Sequence, residues 1–259
     1  MGAIKNTRPD RLLALAIQEF HASDNLSRPM IVPLSLEEEW SPMWEAATSW
    51  QPSGKNVLVI SPHPDDETLG TGGLISTQVS EGVPVQVVAV TDGENAYSRG
   101  DSTLAANRRM EQSAAVKHLG LKSSDVIRLG LTDSAVSSEE STLAKRLLPL
   151  VSRETHIFAP WIGDFHPDHE ACGRVAQKVA QRAGASLTFY FFWTWHRGTP
   201  QLLKNLPLRS LSLSADNRRS KLSALSQYRS QLEHPSGEPI LPDELLWPAR
   251  RSTEIFLPS

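Results

Sequence analysis

The chain predicts an α/β fold with a mostly parallel sheet flanked by helices, and three observations carry that expectation. Short apolar runs such as Val57-Leu58-Val59-Ile60 recur, they alternate with longer segments of helical periodicity, and the alternation is sustained from residue 57 to residue 193. A strand that is apolar at every position is buried on both faces, as in a parallel sheet, whereas an antiparallel sheet wet on one side reads apolar-polar in turn. With 259 residues, 39% of them apolar, the chain can enclose one sizeable core.

The elements follow in order. At 11–21, Leu12, Leu13, Leu15, Ala16 and Phe20 sit at helical spacing behind Pro9-Asp10, which predicts an amphipathic helix. Residues 26–53 hold Pro29, Pro33, Pro42 and Pro52, the acidic run Glu37-Glu38-Glu39, and Trp40, Trp44 and Trp50, and read as an irregular wrapping segment with one helical turn at most. Trp40 and Trp44, four apart, share a helix face, and packing is the favoured use over a sugar-stacking platform. After the strand at 57–60, a helix is expected at 68–81, with Gly70, Gly72 and Gly73 as a face for close approach. Strands at 83–90, 126–131, 156–160 and 187–193 then alternate with helices at 102–118, 139–152 and 168–183, the first stopped at Gly120 and the last at Gly184. That order is Rossmann-like and places a ligand site at the C-terminal ends of the strands. The segment 194–259 carries seven prolines, a helix expected at 217–232 and the turn-rich Pro235-Ser236-Gly237-Glu238-Pro239, and is expected to form a lip over the strand ends. The organisation expected is an N-terminal helix and wrapping segment at 1–56, a catalytic domain at 57–231 and a C-terminal tail at 232–259 packed on it.

Composition narrows the function. Twenty-six basic against 29 acidic residues give a net charge of -3, which offers nucleic acid or an anionic membrane no electrostatic footing. The single cysteine, Cys172, excludes an internal disulfide or a cysteine-rich zinc cluster and reads as a buried packing residue three positions after His169. No stretch reaches the ~18 apolar residues of a membrane span, and residues 1–25 lack a signal-type apolar core, so a cytoplasmic location is expected. A dinucleotide fingerprint starting at Gly70 fails at Ile75, and a zinc-protease helix starting at His169-Glu170 fails at Gly173.

Two segments carry chemistry. Ser61-Pro62-His63-Pro64-Asp65-Asp66-Glu67 crowds a histidine and three carboxylates onto a strand end, and such charges repel unless a cation or basic group offsets them. The same residues also suit an acidic turn that caps the following helix. Far along the chain, Trp161-Ile162-Gly163-Asp164-Phe165-His166-Pro167-Asp168-His169-Glu170 again follows a strand and enters a helix, with two of the eight histidines and three acids. Histidine and carboxylate from one strand end with histidine from another is how a catalytic zinc site with an open water position is assembled. Adjacent Asp65 and Asp66 point in different directions, so one can face the metal and the other its water.

At these residues the chain resembles the PIG-L/LmbE-like family of zinc-dependent de-N-acetylases, which act on N-acetylglucosaminyl conjugates. The resemblance rests on His63-Pro64-Asp65-Asp66-Glu67, Thr91-Asp92-Gly93-Glu94, Arg108-Arg109-Met110-Glu111 with Leu119-Gly120, His166-Pro167-Asp168-His169, and Lys221-Leu222-Ser223-Ala224-Leu225 with Ser230-Gln231, in matching order over 57–231. It implies His63, Asp66 and His169 as ligands of Zn2+, or another divalent ion such as Fe2+, and Asp65 as general base. It further implies His166 near the developing oxyanion, Asp168 as the carboxylate that orients a site imidazole, and Arg108 and Asp133 on sugar hydroxyls; Asp92 follows a strand end and is expected to line the pocket. The implied partner is a small-molecule amino-sugar conjugate, with room for a homo-oligomer. Where the family sometimes has a tyrosine two residues before the first histidine of the second cluster, this chain has Asp164. Two rivals stand beside this: a non-haem Fe(II) oxygenase using His63-x-Asp65 with a distant histidine, and a homologue that holds metal and sugar without catalysis. The oxygenase needs Asp65 on the metal, the hydrolase Asp66.

Overall fold

In the computed structural model, residues 34–53, 55–97, 100–233 and 239–259 are described, so the helix expected at 11–21 lies outside them. The strands are β1 (Thr48–Ser49), β2 (Asn56–Ser61), β3 (Val85–Ala89), β4 (Val126–Arg128), β5 (Thr155–Pro160), β6 (Ser186–Tyr190), β7 (Arg209–Ser212) and β8 (Thr253–Pro258). The helices are α1 (Glu37–Ala46), α2 (Asp66–Ser80), α3 (Ser102–His118), α4 (Glu140–Leu147), α5 (Pro167–Ala183), α6 (Trp193–Arg197), α7 (Pro200–Leu203), α8 (Ala215–Leu225), α9 (Arg229–Leu232) and α10 (Trp247–Arg250). None of these helices is long and apolar enough to cross a membrane.

One eight-stranded sheet runs β1-β7-β8-β6-β5-β2-β3-β4. From β6 through β5, β2 and β3 to β4 every pairing is parallel, and β8 alone is antiparallel to its neighbours. Period-two alternation sorts the side chains of β2 onto two cores. Val57 and Val59 join Leu74 and Ile75 of α2 and Ala115 and Val116 of α3, while Leu58 and Ile60 join Leu143 of α4 and Ala171 and Val175 of α5. Both faces are thus covered, which is why these strands are apolar throughout. Two departures from strand-helix alternation have local causes. Pro149 turns the end of the expected 139–152 helix into a 3-10 turn, Leu148–Leu150. The helix expected at 217–232 is broken between α8 and α9 at Tyr228, which turns fully inward.

The flanking segments are more regular than expected. Residues 26–53 contribute a ten-residue helix, α1, started by Glu39, whose carboxylate accepts from Leu36 N at 2.8 Å. Trp40 and Trp44 are buried against Trp195, at ring separations of 4.9 and 5.0 Å, so they pack. The segment 194–259 supplies strands β7 and β8 rather than a lip alone, with β8 wedged between β6 and β7. It also clamps α2. Glu254 of β8 accepts from Gly73 N (2.7 Å) and Leu74 N (2.8 Å), while Lys221 of α8 donates to Glu254 (2.6 Å) and to Leu69 O (3.0 Å). Leu69 O and Gly73 N are the i and i+4 partners of a regular helix, so this buried ion pair engages both ends of one rung. The small face of α2 makes the approach possible: a Cβ on Gly72 would lie 2.9 Å from Lys221 Cγ, and one on Gly70 2.3 Å from the Tyr190 ring.

Removing one partner of a buried pair strands the other. Lys221→Met is therefore expected to cost about 3–5 kcal/mol, read as a lower urea midpoint at unchanged m-value.

Candidate metal centre and active site

The functional residues gather where the topology reverses. Connections from β2 lead to β3 and β4 on one side, and the chain then returns to place β5 and β6 on the other, which opens a crevice at the C-terminal ends of β2 and β5. His63, Asp65 and Asp66 follow β2; His166, Asp168 and His169 follow β5. His63, Asp65, Asp66 and His166 border a cavity of about 470 Å³ whose wall also includes Arg108 and Asp133, while Asp168 and His169 are buried behind them.

Three donor atoms converge. His63 Nδ1 lies 3.1 Å and His169 Nε2 3.2 Å from Asp66 Oδ2. Donors 2.0–2.1 Å from a tetrahedral zinc stand about 3.3 Å apart. His169 Nε2 is buried with no hydrogen-bond partner, an orphan that a cation would satisfy. The residues present therefore fit a divalent ion. The field agrees: burial alone would raise Asp66, yet the His169 and His63 imidazoles hold it well below the carboxylate range. Against the lowering effect of burial, Asp66 and Asp164 lift His169 to about 9, and Asp133, Asp168 and Asp66 lift His63 well above its ordinary value. The carboxylates thus favour positive charge at this point, and a metal competes with protons for the same imidazole nitrogens. His63, His166 and Asp168 form a second close group, but Asp168 is committed elsewhere.

The far nitrogen of each imidazole is held by acids. His63 Nε2 lies 3.3 Å from both Asp133 Oδ1 and Asp168 Oδ2. Asp168 is itself fixed by Ser134 N (2.8 Å) and Val136 N (3.1 Å), and Asp133 by Asn95 N (2.9 Å). Asp133 thus meets an imidazole as well as the cavity. Behind His169 stands Asp164, whose Oδ2 lies 2.8 Å from Nδ1. Asp164 also accepts from Phe192 N (3.1 Å), Thr194 N (2.9 Å) and Thr194 Oγ1 (2.6 Å), so it ties the His169 ring to the turn after β6. Carboxylates in this position fix the tautomer of a ligating histidine and raise its basicity.

Asp65 takes a different course from Asp66. It occupies the N-cap of α2 without a side-chain capping bond, at a φ of 141°, and its carboxylate lies 3.6 Å from Arg108 Nη2. Burial and Asp66 push it well above the carboxylate range, with Arg108 opposing. Such a φ is strained for a side-chain-bearing residue, and Ser134 (64°) and Phe165 (55°) beside the site share a left-handed backbone. Arg108 is buried and donates to Gly93 O at 2.9 Å rather than pairing with Glu111, which holds Ser230 instead. Gly93 is needed there: its φ is 67°, and a Cβ would run into the Arg108 guanidinium. His166 Nδ1 accepts from Asp168 N (3.3 Å), which leaves Nε2 to carry the proton, and burial with His63 and His169 keeps the ring neutral. Asp92 is not on the cavity wall; Arg109 (2.6 Å) and Arg128 (3.5 Å) engage it.

Two residues escaped the sequence. Glu67, which the sequence offers as an acid of a helix-capping turn, is fully buried and meets Ser61 Oγ and Tyr228 OH, each at 2.5 Å, joining the end of β2 to the chain between α8 and α9. Asp164 was seen only as a missing tyrosine; its place at i−5 from His169 was the available signal.

A mostly parallel sheet with histidines and carboxylates converging at its switch point defines a Rossmann-like α/β protein with a metal-type centre. Comparison with known proteins makes this specific. Residues 58–180 match the PIG-L family, described as GlcNAc-PI de-N-acetylase, and this stretch of the chain is PIG-L/LmbE-like. It is 32% identical over 139 residues to the probable N-acetyl-alpha-D-glucosaminyl L-malate deacetylase 2 of Bacillus subtilis strain 168, covering 49% of this chain and 62% of that protein. It is 29% identical over 138 residues to the diacetylchitobiose deacetylase of Thermococcus kodakarensis, covering 50% and 51%. The chain thus spans between half and two thirds of the length of these relatives. Its fold matches N,N'-diacetylchitobiose deacetylase from Pyrococcus horikoshii with a TM-score of 0.57 at 23% identity, over 90% of this chain and 82% of that one.

Loss of the carboxylate behind His169 is expected to weaken metal binding. Asp164→Asn should lower affinity for Zn2+ about 10–100-fold in a chelator competition, with the fold retained by circular dichroism.

Proposed function

We propose that this chain is a zinc-dependent hydrolase that removes the acetyl group from an N-acetylated amino sugar or its conjugate, of N-acetylglucosaminyl type. One observation carries the proposal: neighbouring Asp65 and Asp66 diverge, Asp66 onto the His63 and His169 nitrogens and Asp65 onto Arg108 and the cavity. The relatives' names, deacetylases of N-acetylglucosaminyl malate and of diacetylchitobiose, support the same reaction class.

His63, Asp66 and His169 would hold the ion. When bound, a divalent cation polarises a carbonyl oxygen and makes water nucleophilic at neutral pH. Asp65, raised by its buried setting, takes the proton of the attacking water on its carboxylate and returns it to the departing amine. Arg108 offsets the charge Asp65 carries in its ionised form. Neutral His166 presents Nε2–H to the oxygen on which charge develops. Asp133 and Asp168 keep the His63 ring in place, Asp164 the His169 ring.

The oxygenase alternative requires Asp65 among the donors, and the approach of Asp66 Oδ2 to the His63 and His169 nitrogens supports the hydrolase set instead. A protein that only retained metal and sugar would need neither Asp65 nor His166 at the cavity.

Purified protein is expected to carry one equivalent of divalent metal per chain by elemental analysis. Asp65→Asn should keep that metal yet release amine from N-acetylglucosaminyl conjugates about 10²–10⁴-fold more slowly. Metal-free protein that hydrolyses, or an active Asp65→Asn variant, would sink the proposal.

A further inference from the structure

The cavity has two chemically different sectors. One holds His63 and Asp66 with Arg108, Asn95 and Asp133, and suits a sugar with its hydroxyls and amide. The other is formed by Leu69, Phe192, Trp193, Ile240 and Leu241. These belong to, or pack against, one hydrophobic cluster that continues beneath the wall through Leu225 and Leu245. Nothing in amide hydrolysis asks for such a surface.

Its position ties it to the substrate. The Trp193 ring stacks on His166 with centroids 6.1 Å apart and planes 20° from parallel, so the apolar sector begins one ring away from the reacting amide. Trp193 also carries the Arg197 guanidinium 5.1 Å from its centroid, so its π-system is already engaged and the sector is not simply an aromatic platform for a sugar face. Ile240 is half-buried and Leu241 buried. Four of the five residues, all but Leu69, lie outside the stretch 58–180 that matches the family model, so the wall comes mainly from the chain after the donor residues.

We infer that the substrate is an amino-sugar amide bearing an apolar group, which lies against Leu69, Phe192, Trp193, Ile240 and Leu241. An unsubstituted amino sugar presents hydroxyls in most directions and gains little from this wall, whereas an alkyl or aryl group gains the transfer energy of its buried area. The group reaches the substrate through the glycosidic oxygen or through the acyl carbon of the amide. The chemistry against the wall is the same in both cases. This inference rests on the amide-hydrolase function proposed above.

The test compares amine release by the zinc-loaded protein from three compounds: N-acetylglucosamine, its octyl glycoside, and N-octanoylglucosamine. At least one octyl compound is expected to exceed N-acetylglucosamine about tenfold or more in kcat/KM, mainly through KM, and the one that does so identifies the attachment. That ratio should fall stepwise in Ile240→Ala and Ile240→Asp, toward one in the latter; being a ratio, it is unaffected by a general loss of activity. Equal kcat/KM for all three compounds, or a ratio that Ile240→Ala and Ile240→Asp leave untouched, overturns the inference while the hydrolase function stands. No amine from any of the three overturns the hydrolase function itself.

Discussion

The rest of the structure depends on one electrostatic constraint: five carboxylates, those of Asp65, Asp66, Asp133, Asp164 and Asp168, are buried around two imidazoles. An uncompensated buried charge is prohibitive, so each acid must be answered. Four are answered by the protein. Asp164 and Asp168 take backbone amides, Asp133 takes Asn95 N, and Asp65 takes Arg108. Asp66 accepts from His63 N and otherwise faces the His63 and His169 imidazoles, both lifted above their ordinary pKa. The pocket thus concentrates its demand for positive charge on one point, which is what a cation site requires.

Meeting that constraint explains features far from the ions. Asp65 and Asp66 start α2, so the helix must be held in rotation and height, and it is held from behind. Glu67 is bonded to Ser61 and Tyr228, and the Lys221–Glu254 pair grips the rung at Leu69 and Gly73. The strain at Asp65, the N-cap of this helix, persists because this packing over-determines it. The C-terminal segment is in this sense part of the centre: β8 carries Glu254, and the chain between α8 and α9 carries Tyr228.

What was legible in the sequence follows the range of the forces involved. The central strands and α2, α3 and α5 were visible because their periodicity is local, and the donor residues because histidines and acids crowded at strand ends have few other uses. Strands β7 and β8 were not. β7 is a four-residue Arg-Ser-Leu-Ser segment, and β8 is antiparallel to partners distant in sequence, so their burial is decided by a sheet edge that no window of residues reveals. Glu67 was misjudged for a related reason: acids at helix starts usually face water, and only the three-dimensional approach of Tyr228 makes this one a buried junction. Asp92 illustrates the converse. An acid after a strand end fits a pocket wall, but α3 and β4 bring Arg109 and Arg128 to it first.

Asp164 shows how the family-matched stretch and the chain after it are joined. The donors and their supporting acids all lie within the family-matched residues 58–180, while most of the apolar wall comes from the chain after them. A boundary of this kind lets the wall vary without disturbing the donor residues, provided something keeps the two in register. One oxygen of Asp164 faces His169 Nδ1, and the other accepts from the amides of Phe192 and Thr194, which flank Trp193. A shift of the turn after β6 is therefore transmitted to the ring that presents Nε2 to the centre, and the converse holds. Where a tyrosine at this position would offer a single hydroxyl, a carboxylate has two oxygens and can serve both sides at once.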